Sequence, residues 1–104
     1  MSFNGNEGEF VTLSAASGWT ANYRNTIQAG EVIAFAAGKE KLIEILEQDE
    51  CLGARIYYAI KDNGENNMVI VGVDVNGDDL VDGLIMDNLI PCPKICSKPN
   101  RLNQ

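Results

Sequence analysis

The chain contains no histidine, so it lacks the side chain that most often moves protons near neutral pH. A cysteine nucleophile would also be without its usual base. Neither the Walker phosphate loop nor the dinucleotide-binding glycine pattern is present. These absences point away from an enzyme, and no cofactor is implied. Basic residues are few: 8 Lys and Arg stand against 15 Asp and Glu, giving a net charge of −7. Nucleic-acid binding needs a basic surface, so that class is excluded, and an anionic membrane surface is disfavoured. No apolar run reaches the length of a membrane span. The opening MSFNGNEGEF has neither the positive start nor the apolar run of a secretory signal. The simplest expected location is cytoplasmic, with export lacking a cleaved signal left open. Cysteine is scarce and odd in number, three in all, which is not a disulfide framework.

What is present fits one domain. The chain has 104 residues, 45% of them apolar and 22% charged, ordinary for a soluble globular protein. Residues 1–9, rich in Gly, Asn and Glu, read as a mobile N-terminal arm. Phe10, Leu13, Ala16, Thr20, Tyr23 and Ile27 recur at helical spacing, with Thr12 as N-cap and Gly18 as a weak point. Trp19 beside this stripe reads as a core or core-edge anchor. A second helix covers at least Leu42, Ile43, Ile45 and Leu46. Residues 32–37 suit either an extension of that helix or a short strand, with Gly38 at the junction.

The stretch from Leu52 to Asp79 organises the rest. Two runs rich in Ile, Val and Tyr flank Asn63-Gly64, a strong hairpin signal. With Asn63 and Gly64 as the two turn residues, Tyr58 faces Val69, Ile56 faces Val71 and Ala54 faces Val73. That register leaves Arg55, Tyr57, Met68 and Ile70 together on the second face, which is too apolar to be freely solvated. It is the expected interaction face. Asn76-Gly77 is a second turn signal. Pairing across it requires a bulge near Asp82-Gly83 and suggests a third strand near 80–88, with a short helix as the competing reading. Pro91, Pro93 and Pro99 make 91–104 an irregular tail.

Two constellations suggest metal chemistry. Asp74, Asn76 and Asp78 match the first oxygen ligands of a calcium loop, and Asp82 fits again at position nine. Asp79 stands where that loop needs glycine, however, and Ile85 where it needs glutamate. Ordinary turn chemistry also explains the segment. Cys51, Cys92 and Cys96 allow three readings: reduced packing groups, a disulfide pinning the tail, or a zinc site needing a fourth ligand.

The segments WTANYR at 19–24, AAGKEKLIEIL at 36–46, CLGARIYYAI at 51–60, VIVGVDVNGDDL at 69–80 and PCPKIC at 91–96 together resemble a family of short uncharacterised bacterial proteins of bacteroidete type. The resemblance spans about residues 10–102 and implies a free-standing protein without assigning an activity. The sequence therefore predicts an α+β fold at 10–90: two N-terminal helices packed on a small antiparallel sheet of about three strands, followed by the Pro- and Cys-bearing tail. The expected function is a non-enzymatic interaction or assembly module, a homo-oligomer or accessory subunit binding a protein partner. Metal binding through the Asp74–Asp82 loop or the cysteines is the alternative.

Overall fold

A computed structural model describes residues 2–104 and shows an α+β fold. The chain divides into two compact units. One combines the N-terminal residues to Glu7 with Ala37–Leu89, and the other combines Gly8–Ala36 with Ile90–Gln104. The chain passes between the units at Glu7–Gly8, at Ala36–Ala37 within the stretch 10–90, and at Leu89–Ile90 beside the Pro-rich tail.

The first unit holds helix α2 (Lys39–Leu46) and a three-stranded antiparallel sheet of order β2 (Gly53–Ile60), β3 (Asn66–Val73) and β4 (Ile85–Met86). Central β3 is apolar on both faces because both are covered. Ile70, Val71 and Val73 are 2%, 4% and 1% exposed. Helix α2 packs on β2 and β3 and buries Ile45. Beyond its end, Gln48 and Cys51 approach one face at Gly72. On the other face the Phe3 ring lies over Gly53, and the Phe3 amide donates to the Val75 carbonyl at 2.8 Å.

The hairpin forms where expected, but in a different register. Gly53 pairs with Val73, Arg55 with Val71, Tyr57 with Val69, Ile56 with Ile70 and Tyr58 with Met68. Asn63 and Gly64 are not a two-residue turn. The Lys61 amide donates to the Glu65 carbonyl and the Gly64 amide to the Lys61 carbonyl, both at 2.8 Å. These bonds close a three-residue loop with Gly64 at φ 87° in the left-handed region. Asn76-Gly77 repeats the device. Asp74 N bonds Asp78 O and Gly77 N bonds Asp74 O, both at 3.0 Å, with Gly77 at φ 81°. In each case one residue more than expected lies between the strands, so each register slips by one. After the second loop Val73 pairs with Asp79. The chain then bulges through 80–84 before Ile85 and Met86 pair with Val71 and Ile70. The third strand is thus present, but it is only two residues long and displaced by the bulge.

The second unit holds helix α1 (Leu13–Arg24) and a two-stranded antiparallel sheet of β1 (Ala34–Ala36) and β5 (Ile90–Cys92). Thr12 is the N-cap, its hydroxyl accepting from the Ala15 amide at 3.1 Å. No residue of α1 is fully buried, and Trp19 is 60% exposed, so it does not act as a core anchor. The ambiguous stretch at 32–37 contains strand β1, and Gly38 caps α2. The tail begins as a strand, with Pro91 opposite Phe35. A two-stranded ribbon accepts proline because each strand keeps one open edge.

Candidate functional site

The register correction divides the expected interaction face. Arg55 and Tyr57 share one face with Val69 and Val71, whereas Met68 and Ile70 share the other with Tyr58 and Ile56. The four residues therefore do not form one surface.

On the first face Arg55 and Tyr57 converge on Asp79. The Arg55 guanidinium donates to one Asp79 carboxylate oxygen and, at 3.0 Å, to the Gly77 carbonyl. The Tyr57 hydroxyl donates to the other carboxylate oxygen. The Tyr57 hydrogen bond is the largest influence holding the Asp79 carboxyl below its usual range; desolvation opposes it, and the Arg55 hydrogen bond and charge add to the lowering. The same bond to the carboxylate raises the Tyr57 phenol. Asp79 is thus an ionised carboxylate with both oxygens occupied. It fastens the 74–79 loop to the sheet. Sequence reasoning missed this triad because it needs Asp79 to return over β2, and only the second loop's true length sets that geometry.

Asp74, Asn76 and Asp78 occupy the second hairpin loop. Asp74 Oδ1 accepts from the amides of Asn76 at 2.9 Å and Asp78 at 3.0 Å. That oxygen faces two N–H donors, the arrangement of an Asx turn rather than a cation site. Asp82 lies in the bulge, exposed. Cys92 and Cys96 form a disulfide, so their sulfurs are spent on each other. Cys51 is a free thiol donating to the Gly53 carbonyl at 3.1 Å. The three cysteines therefore offer no thiolate triad. Among the described residues, no group of three or more His, Cys, Asp or Glu is placed to hold a metal.

In the second unit, Trp19, Tyr23, Phe35, Ile90, Ile95 and Leu102 line an open groove of about 670 Å³. Arg24, at its margin, donates to the carbonyl oxygens of Leu102 at 2.6 Å and Gln104 at 2.8 Å, tying the tail to α1.

The remaining feature is an edge. In the order β2-β3-β4, β2 is bonded on one side only. The Lys61–Glu65 bond fixes the phase of the ladder: odd-numbered residues of β2 bond inward to β3, and even-numbered residues turn their amides and carbonyls outward. Ala54, Ile56, Tyr58 and Ile60 therefore present a row of backbone donors and acceptors with no partner among the described residues. Their side chains are exposed, with Ile56 at 57%, Tyr58 at 90% and Ile60 at 74%.

No known protein family, curated protein or solved structure matches this chain. No helix among the described residues is long and apolar enough to cross a membrane.

Proposed function

We propose that this chain is a non-enzymatic interaction module that engages a protein partner by strand addition at the open edge of β2. The observation carrying the proposal is that edge: eight residues from Gly53 to Ile60, outward backbone groups unpaired, flanked by exposed Ile56, Tyr58 and Ile60. Strand addition draws affinity from main-chain hydrogen bonds and specificity from alternate side chains, and both elements are available here. The occupied carboxylate of Asp79 supports a binding role over acid–base catalysis. A cytoplasmic setting is part of the same proposal. The Cys92–Cys96 disulfide weighs against it, because such bonds persist in oxidising compartments.

The test compares the wild-type chain with Tyr58→Pro. Proline at this outward-bonding position removes an edge donor while leaving the inner ladder paired. A partner, or a second copy, that the wild type retains and Tyr58→Pro loses supports strand addition. Equal retention by both would refute it.

A further inference from the structure

We infer that the occupant of the β2 edge is a second copy of the same strand, paired antiparallel about a two-fold axis at Tyr57. This rests on the strand-addition reading and goes further by naming the partner and the register. A symmetric contact must pair residue i with j and j with i. Only even-numbered residues of β2 bond outward, so the registers are few. Centring on Tyr57 sets Ala54 opposite Ile60 of the other copy and Ile56 opposite Tyr58, each in both directions. All four outward residues are then used, giving about eight inter-chain hydrogen bonds at two per pair. No other centre uses all four.

The side chains agree with that register. Ile56 against Tyr58 is a favourable β-branched and aromatic pair on one face. On the other face Tyr57 meets Tyr57, and Arg55 meets Ala59. The two cations in or next to the strand, Arg55 and Lys61, then face Ala59 and Gly53, so no like charges oppose. A centre at Arg55 would set two guanidiniums against each other, and that register is disfavoured. The net charge of −7 repels two copies at long range, but Gly53–Ile60 contains no acidic residue, and Asp79, the carboxylate bonded to Tyr57, is paired with Arg55.

The prediction is a dimer whose two three-stranded sheets join into one sheet of six strands. Light scattering on the wild-type chain from about 1 μM to about 1 mM, a range covering weak and strong association, should show a monomer–dimer equilibrium. Tyr58→Pro should be monomeric throughout. In a Cys51→Ser background, Tyr57→Cys should form a covalent dimer on mild oxidation. Tyr57 and its mate are a non-hydrogen-bonded pair about 4.5 Å apart at Cα, within disulfide reach. Arg55→Cys and Ala59→Cys alone should not cross-link. A wild-type monomer at every concentration overturns self-pairing, and the broader reading is then judged by its own retention assay. A dimer that survives Tyr58→Pro, or cross-links at 55 or 59 rather than 57, also overturns it. If the cysteine variants fail to fold, wild-type amide exchange decides. The amides of Ala54, Ile56, Tyr58 and Ile60 should be protected in concentrated but not dilute solution, and unchanged exchange overturns the proposal.

Discussion

Replacing Gly83 with alanine is expected to destabilise the protein in one background and stabilise it slightly in another. Gly83 lies in the 80–84 bulge, where the side chain of Gln48 stitches α2 to the sheet. Gln48 Nε2 donates to the Ile45 carbonyl at 2.9 Å, and its Oε1 accepts from the Leu84 amide at 2.8 Å. A Cβ on Gly83 would sit 2.3 Å from that Oε1 and 3.3 Å from Gln48 Cδ, while the nearest backbone atom, Leu80 O, is at 3.4 Å. The backbone therefore tolerates alanine and the Gln48 amide does not. Gln48 must swing away and lose both bonds, each worth about 1 kcal/mol. Alanine returns about 0.5 kcal/mol by reducing the freedom of the unfolded chain. The net cost of Gly83→Ala is then about 1.5 kcal/mol. Gln48→Ala alone should cost about 2 kcal/mol, from the same two bonds. With Gln48 absent nothing blocks the Cβ, and adding Gly83→Ala should stabilise by about 0.5 kcal/mol. The coupling in a double-mutant cycle is thus about 2 kcal/mol, well above the scatter of independent sites. Urea unfolding followed by far-UV circular dichroism reads all four corners, and exchange at the Leu84 amide reports the lost bond directly. Equal destabilisation by Gly83→Ala in both backgrounds would refute the steric argument.

Three further outcomes are expected. Asp79 has a lowered folded-state pKa, so its contribution to stability is fully present above the ordinary carboxylate value of 3.8 and is lost as pH falls through the folded value. Asp79→Asn should flatten this acid limb in pH-dependent unfolding, and Tyr57→Phe should move the Asp79 titration upward by NMR, since the phenol bond is the largest lowering influence. The Asn67 side chain clamps Leu89, donating to its carbonyl at 3.1 Å and accepting from its amide at 3.0 Å. Asn67→Ala should cost about 1–3 kcal/mol, because it leaves backbone groups of a buried residue unpaired, and thermal unfolding should show it. The Cys92–Cys96 disulfide closes a short loop, sequence separation 4, whose closure entropy corresponds to about 2 kcal/mol, so dithiothreitol or Cys96→Ser should lower the melting temperature.

The local signals in the sequence proved dependable because their chemistry is local. Thr12 caps α1 through its own hydroxyl, and Gly38 sits at the start of α2. Both Asn-Gly pairs mark loops with glycine in the left-handed region. The register failed because strand β3 could not arbitrate it. Met68 to Val73 is apolar at every position, as befits a central strand covered on both faces, so alternation fixes no phase there. The choice then rested on loop length, and dipeptide identity does not separate a two-residue turn from a three-residue loop ending in the same glycine. One residue of slip turned the expected interaction face into two half-faces and hid the Arg55–Tyr57–Asp79 triad. The calcium resemblance arose from the same ambiguity, because an aspartate that caps a tight turn and one that opens a cation loop look alike in sequence. Nothing near Cys92 or Cys96 in the sequence favoured a disulfide over reduced thiols, since the spacing permits both.

The two edges of the three-stranded sheet are treated differently. β4 is two residues long and follows a bulge, and both features blunt an edge against further pairing. β2 has none of the usual protections. It contains no proline, runs eight residues without an interruption of its pairing to β3, and carries one charge, Arg55. That guanidinium is held by Asp79 and the Gly77 carbonyl, so it is partly neutralised and not free to guard the edge. An unguarded edge of this length invites pairing in any monomer that keeps it open. The self-complementary register about Tyr57 gives that tendency a closed end point, because two-fold pairing consumes both open edges and leaves only the two short β4 strands outside. If β2 pairs with itself in this way, the asymmetry between β2 and β4 would stop the assembly at two.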